Sequence, residues 1–486
     1  MIYKLRPYQE ECVKSISDYI NSDRHDPVLI VGPVGCGKSL LIAEAARLMG
    51  DKTLILQPSK ELLQQNHDKI TSYGIPATIY SASCGKKELS NMIYATLGSI
   101  KKVVDKLKEM GIRNVLIDEA HAGYSPEDGS EFMTFMNELK PKKVIGFTAT
   151  PCRLKNMSIG QTSYSQLNFI TRMRPVYFKN LIHVIQVEEM IRQGFWTPLK
   201  YETWDFNGDA LKLNSNGSEY TAESISEAVR KNGLNNLILR RLMVLKDVCR
   251  SILVFMDSVE SCNTAAEWMN AKICAGMAEV VHGGTPKKQR EAIVERFKSG
   301  GTRVVFNYSA LGTGFDHPGL DCVIVGRPTF SFSSFYQWFG RAVRIKDGKD
   351  SALVVDCCNN SSRFGDIRKL SIENYKGYGW GMFIGDKLIT NIPMGDKVTK
   401  TDLDIKAAKK DRRRGLAQGV TAAPVPGRPD HPLGSTVMTF GKYCGWMFHS
   451  IPVSYFKFIN ERFDWDNDRN KDIKEYIDFL IKNNRL

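Results

Sequence analysis

The sequence has few of the features that mark a membrane-bound or exported chain. No apolar run approaches the roughly 20 residues that span a bilayer, which excludes a helical membrane protein. The stretch Met1-Ile2-Tyr3-Lys4-Leu5-Arg6 lacks the apolar segment and small-residue cleavage site of a secretory signal, so a cytoplasmic location is expected. Paired cysteines are also missing. The eleven cysteines are odd in number and scattered, apart from Cys357-Cys358, and none forms a CxxC. That excludes a disulfide framework and a zinc ribbon and reads as reduced thiols. Acidic charge is in the minority, with 67 Lys and Arg against 53 Asp and Glu, a net +14 that favours a polyanionic partner such as nucleic acid. The 486 residues, 42% hydrophobic and 25% charged, have the balance of a globular protein. They exceed one ordinary core and predict two domains of roughly 150 to 200 residues with a smaller appendage.

Buried-strand patterns recur in two sets. Val28–Val31, Thr53–Leu56, Val115–Ile117 and Val144–Phe147 alternate with helical patterns such as Leu40–Met49 and Lys60–Tyr73. Ser251–Phe255, Arg303–Phe306, Cys322–Val325 and Ala352–Val355 repeat the theme. Strand and helix alternation of this kind predicts α/β doubly wound parallel sheets. The expected division is a first domain over 1–153, a bridge and opening of the second over 154–245, and a second domain over 246–375. A hairpin turning at Gly385-Asp386 and a basic segment follow over 376–420, then a linker over 421–435 and a small module over 436–486. The basic segment packs six basic residues into Lys406–Arg414, and the linker region Thr421–Pro432 holds four prolines.

Gly32-Pro33-Val34-Gly35-Cys36-Gly37-Lys38-Ser39 fits the phosphate loop GxxxxGK[ST] between a strand and a helix. Gly35 and Gly37 let the backbone wrap phosphates, so that amides and the helix N-terminus meet anionic charge. Lys38 is expected to reach the β and γ phosphates of ATP, and Ser39 to ligate Mg²⁺. Val115-Leu116-Ile117-Asp118-Glu119-Ala120-His121 places two carboxylates at a strand's carboxyl end, where doubly wound sheets bind ligands. Asp118 suits the Mg²⁺ shell, and Glu119 suits orienting or deprotonating the attacking water.

With Leu5-Arg6-Pro7-Tyr8-Gln9 ahead of the phosphate loop and Gly146-Phe147-Thr148-Ala149-Thr150-Pro151-Cys152-Arg153 after the DEAH run, the chain resembles the superfamily 2 helicases. Within them it is similar to restriction-enzyme motors and to phage branch-migration or recombination helicases. The resemblance spans roughly residues 5 to 360. It implies two tandem RecA-like domains plus a small C-terminal module, with Gln9 bonding adenine and Arg6 or Tyr8 packing nearby. Gln337-Trp338-Phe339-Gly340-Arg341-Ala342-Val343-Arg344 resembles motif VI. Arg341 and Arg344, three apart on one helical face, become arginine fingers that stabilise γ-phosphoryl charge when the domains close. Tyr308 to Pro318 resembles motif V, with Gly314 near the nucleotide, Asp316 on the ribose, and Ser309 and Thr313 on the nucleic-acid side. Val254–Ser258 matches motif IV more loosely.

Further strand contacts are expected from Pro58 and Ser59, from Thr96 and Ser99, and from Arg153, through hydroxyls and amides that grip phosphate without reading bases. A helix-capping role is the other reading of Ser59 and Ser99. His121 is expected to bond across to the second domain, for instance to Gln337. The variant TAT at Thr148–Thr150 tilts the resemblance toward DNA. The expected partner is forked or branched DNA, acted on by a monomer that uses ATP and Mg²⁺. A duplex translocase that separates no strands and an RNA helicase are the alternatives. The hairpin Trp380–Ile392 is a candidate wedge. Met438–Trp446 is similar to a small FGKYKG-type domain in which Cys444 replaces a lysine, with a structural role or a DNA contact through Lys442 and Trp446 as its two readings.

Overall fold

The computed structural model describes residues 4–50, 52–159, 162–312, 315–407, 431–436, 438, 443, 446–461 and 470–484. They form two compact units, residues 1–374 with 380–398, and residues 375–379 with 399–486. The first unit holds both of the expected sheets.

Its strands are β1 (Val28–Val31), β2 (Thr53–Leu56), β3 (Thr78–Ser81), β4 (Lys86–Lys87), β5 (Met92–Ala95), β6 (Asn114–Ile117) and β7 (Lys143–Thr148), then β8 (Cys152–Ile159), β9 (Thr162–Phe169), β10 (Asn180–Val184) and β11 (Leu199–Thr203). The second half adds β12 (Ile252–Phe255), β13 (Ala278–His282), β14 (Val304–Tyr308), β15 (Cys322–Val325), β16 (Ala352–Asp356), β17 (Leu370–Tyr375), β18 (Gly379–Ile384) and β19 (Lys387–Leu388). The first sheet runs β10-β1-β7-β6-β2-β5-β3-β4 and the second β11-β16-β15-β12-β14-β13. Every pairing in the second is parallel. The central strands β1, β2, β12 and β15 are buried along their whole length. Helices cover both faces of such a sheet, and this is why these strands read as unbroken apolar runs rather than alternating ones.

The first domain does not end near Arg153. Past that residue the chain makes the antiparallel hairpin β8–β9, in register from Cys152↔Phe169 to Ile159↔Thr162, and then returns as β10 to pair with β1. The first sheet therefore owns a strand some 30 positions beyond the expected boundary, and β11 opens the second sheet from within the bridge. The hairpin β18–β19 turns at Gly385-Asp386 as its sequence predicts. Its base is packed and its tip exposed: Met382 and Phe383 are fully buried, the Gly385 amide donates to the Lys369 carbonyl, and Asn391 bonds back to Leu167 and Phe169, while the side chains of Asp386 and Lys387 face solvent.

In the second unit Met438, Phe448, Ile451, Phe456 and Tyr476 form a small core with the helices Val453–Asn460 and Lys471–Lys482. The basic segment beyond residue 407, Lys442 and Cys444 lie outside the described residues, as do Thr313 and Gly314.

Candidate functional site

At the carboxyl ends of β1 and β6 the phosphate loop and the acidic pair come together. Gly35 and Gly37 hold φ of 85° and 84°, a region that L side chains rarely adopt. A Cβ on Gly37 would lie 2.6 Å from the Gln9 amide nitrogen. The loop then enters the helix Lys38–Met49 at its first residue. Lys38 Nζ stands 3.6 Å from Glu119 Oε1, and His121 Nδ1 stands 3.4 Å from Glu119 Oε2. Burial works against the Lys38 ammonium, but the carboxylates of Glu119 and Asp118 outweigh it and raise its pKa. Burial works against the Glu119 carboxylate as well, and there Lys38 and His121 prevail and push it down to about 2. Asp118, buried beside the charge of Glu119, is shifted upward.

These residues fit a magnesium-bound nucleotide. The glycine cradle excludes side chains, and a buried carboxylate whose ionised form is disfavoured gains from a nearby cation. Among the described residues no three His, Cys, Asp or Glu side chains gather as a metal cluster. A hard cation would therefore rest on Ser39 and Asp118 together with the nucleotide's phosphates, as magnesium does with few protein ligands.

Asn66, which the sequence motifs do not single out, joins those two ligands. It lies in the helix Lys60–Ser72, is 4% exposed, accepts from Ser39 Oγ at 2.7 Å and donates to Asp118 Oδ2 at 2.9 Å and Gln57 Oε1 at 3.1 Å. Groups that orient metal ligands typically change metal affinity about 10- to 100-fold when lost. Asn66→Ala is accordingly expected to raise the Mg²⁺ concentration for half-maximal ATPase by about tenfold. A Mg²⁺ titration checks this.

Gln9 and Tyr8 both brace the phosphate loop, donating to the Cys36 carbonyl at 2.9 and 3.1 Å. The Gln9 amide oxygen accepts from the Arg6 amide at 3.0 Å, so its side chain is engaged within the chain. The Arg6 guanidinium lies 4.6 Å over the ring of Phe195. The neighbouring Trp196 and Thr197, also unforeseen, tie the lobes together. Trp196 Nε1 donates to the Val34 carbonyl at 2.9 Å, and Thr197 donates to the carbonyls of Val343 (2.9 Å) and Arg344 (2.7 Å).

On the facing lobe Gln337, Arg341, Arg344 and Asp316 line the same cavity as Lys38, Ser39, Asp118 and Glu119. The arginines do not share a helical face. The helix Phe332–Phe339 ends before them: the amides of Arg341 and Ala342 bond three residues back, to Trp338 and Phe339, and the carbonyls of Ala342, Val343 and Arg344 are taken by Thr197 and Lys349. Arg341 is committed to the carbonyls of Gly312 and Phe315, whereas Arg344 Nε stands 3.4 Å from Asp316.

Lys349 Nζ donates to the carbonyls of Ala342 and Arg344, each at 2.8 Å, and of Pro318 at 3.2 Å. Burial, with help from Arg344 and Lys346 against Asp321, pushes this ammonium down to about 8. Deprotonation leaves too few donors for three carbonyls, so ATPase is expected to fall as pH rises through about 8. Unfolded lysine titrates near ~10.4, so between these values the unfolded chain binds more protons and this group favours folding more as pH rises. The fall is thus one of finger placement, without a matching loss of Tm. Lys349→Arg, which stays charged, should remove it in a pH–rate profile.

Two other expectations change. His121 does cross to the second lobe, but to Ser333 (Nε2 to Oγ, 3.1 Å) and not to Gln337, which lies one turn further along that helix. Its Nδ1 shares a 2.8 Å hydrogen bond with Thr148, and Thr150 meets Ser333 at 3.1 Å. Arg153 does not face a strand. It donates to the carbonyls of His121, Ala120 and Tyr124 at 2.6, 3.2 and 2.6 Å, and so holds the acidic loop from behind.

Pro58 and Ser59 follow β2, and Thr96 and Ser99 follow β5, on the carboxyl side of the first sheet. Ser59 caps its helix by accepting the Leu62 amide, while Ser99 accepts the Ala82 amide and the Thr96 hydroxyl. Ser309 follows β14 with φ of 53°, a conformation uncommon outside glycine.

Comparisons agree with this geometry. Residues 2–153 match the family model for the Type III restriction enzyme res subunit, and residues 235–346 match the helicase conserved C-terminal domain. A 51.5 kDa protein of a Lactococcus phage (isolate 7-9) is 25% identical over 332 residues, covering 68% of this chain and 65% of its own length. The ATP-dependent DNA helicase Hel308 of Pyrococcus horikoshii is 25% identical over 376 residues, 69% of this chain and 49% of its own. The chain thus spans less than two thirds of either relative. The solved structure of the ATP-dependent Type ISP restriction-modification enzyme LlaBIII bound to DNA shares the fold with a TM-score of 0.54 at 15% identity, covering 85% of this chain and 30% of that one. A segment matching the restriction-enzyme res model followed by one matching the helicase C-terminal model, on two parallel α/β sheets, is the arrangement of the superfamily 2 helicases, and the chain belongs with them.

Proposed function

We propose that the chain is an ATP-dependent motor that moves along DNA, with forked or branched DNA as its substrate and magnesium as its metal. The observation that carries this reading is the single cavity shared by Lys38, Ser39, Asp118 and Glu119 on one lobe and Gln337, Arg341 and Arg344 on the other. Lys38 and the Gly35–Gly37 backbone bind phosphate, Ser39 and Asp118 hold the cation, and Glu119 takes the proton of the attacking water. The cation's part is to neutralise phosphate charge. Arg344 stabilises the charge that develops on the transferring group, so hydrolysis needs the lobes closed. Trp196–Thr197 and the His121–Ser333–Thr150 bonds transmit that closure, and the faces carrying Pro58, Ser59, Thr96, Ser99, Ser309 and Thr313 exchange hold of the strand. The protein acts as a cytoplasmic monomer.

A second reading, a duplex translocase that separates no strands, is favoured by the packed base of the hairpin β18–β19, whose exposed tip is confined to Gly385–Lys387. A panel of forked, four-way, plain duplex and RNA substrates decides between the two. Displaced strands from forks or junctions support the helicase. ATP turnover on plain duplex with no displaced strand replaces it with the translocase. Stimulation by RNA alone defeats the DNA assignment.

A further inference from the structure

The carboxyl end of the second sheet carries a pocket of about 240 Å³, bounded by Phe255 at the end of β12 and Met256 after it, Asn307 on β14, Gly312, and Arg327 after β15. None of the strand contacts expected from the motifs involves Asn307 or Arg327. Asn307 is 1% exposed. Its Oδ1 accepts the amides of Ala310 and Leu311 at 3.2 and 2.8 Å, which fixes the orientation of the side-chain amide and leaves Nδ2 as a buried donor with no hydrogen-bond partner. Arg327 Nε is likewise buried without a partner, and the guanidinium carbon lies 5.7 Å from the Tyr308 ring. The acid lining the pocket, Glu219, is taken up by the Thr329 hydroxyl and the amides of Tyr220 and Phe330. Among the described residues it forms no ion pair with Arg327. Buried donors are nearly always satisfied in folded proteins. Two of them lining one pocket, one on a cation, call for an anionic acceptor.

We propose that Asn307 and Arg327 hold one backbone phosphate of the nucleic acid on the second lobe. This rests on the motor reading above and adds two named residues to it. Asn307 Nδ2 and the Arg327 guanidinium both donate to phosphate oxygens, a charge-assisted contact that carries no base information. A free phosphate offers the same chemistry. The polymer is the better occupant because the pocket shares the Ser309–Gly312 loop with the expected strand contact and opens at the strands' carboxyl ends, where doubly wound sheets take ligands.

The test uses the full chain and two variants. Arg327→Gln removes the charge. Asn307→Asp keeps the oxygen that accepts Ala310 and Leu311 and puts a carboxylate oxygen where the donor stood. Binding of a fluorescent single-stranded DNA is measured across a salt series, with a fluorescent ATP analogue as the control. Both variants should weaken DNA binding by about tenfold, and Arg327→Gln should flatten the slope of log K against log salt by about 0.7, the value of one single-strand phosphate contact. Analogue binding should stay as in the wild type. Should Asn307→Asp unfold, Arg327→Gln alone decides. Wild-type affinity and slope in Arg327→Gln overturn the proposal. So does a result in which inorganic phosphate raises the Tm of the wild type, and not of Arg327→Gln, while DNA binding is untouched, since the occupant is then a free anion. A wild type that binds no nucleic acid fails the motor reading itself, a distinct outcome.

Discussion

Glu119→Gln is expected to lower nucleic-acid-stimulated ATP hydrolysis by about 10²- to 10⁴-fold, the range for loss of a general base, with ATP-analogue affinity nearly unchanged. Glu119 closes β6 with φ of 45°, a strained conformation for a residue with a side chain, and such strain gathers at functional positions. Lys38 and His121 hold its carboxylate ionised at neutral pH against the opposing effect of burial. Burial opposes that ionised form, and the ion pair with Lys38, with His121 beside it, lowers the pKa and with it the basicity. When Lys38 turns to phosphate instead, that restraint is relieved and the carboxylate becomes more basic. Glutamine keeps the shape and cannot take a proton. Single-turnover hydrolysis alongside analogue binding separates the two effects.

Arg344→Ala should cost about 10³-fold or more in the same assay, as expected for an arginine finger, and hardly move Tm. Its one ion pair, with Asp316 at 3.4 Å, is partly exposed, and such pairs contribute only about 0–1 kcal/mol. Arg341→Ala differs in kind. That guanidinium is buried, with its pKa pushed down to about 10 by burial and by Arg344, and its removal abandons the carbonyls of Gly312 and Phe315. Its variant should lose Tm as well as rate. Thermal melts of both, run with the ATPase assay, distinguish a finger from a strut.

The pattern of these roles shows what a sequence can carry. Val28–Val31 and Cys322–Val325 are legible as strands because parallel strands buried on both faces must be apolar throughout. The phosphate loop is legible because glycine spacing encodes backbone conformation. Edge strand β10, Asn180–Val184, mixes polar with apolar residues and is half exposed, so its pattern does not stand out and the domain boundary falls too early. Side-chain direction is harder still. Arg153 ends the Gly146–Arg153 segment in sequence yet reaches back some 30 positions to the acidic loop. Asn66 looks like any polar helix residue until the fold sets it between Ser39 and Asp118. The helix before Arg341 gives way at Phe339 to amide bonds three residues back, and no local propensity encodes that. His121 finds Ser333 where Gln337 was expected, one turn away on the same helix, a distinction set only by how the lobes meet.

The central claim is that one ATP site, completed by both lobes, is driven by DNA. Steady-state ATP hydrolysis of the full chain with and without DNA tests it most directly. The account predicts a low basal rate, strong stimulation by DNA, and loss of that stimulation in Arg344→Ala. A rate indifferent to DNA, or one that Arg344→Ala leaves intact, would contradict it.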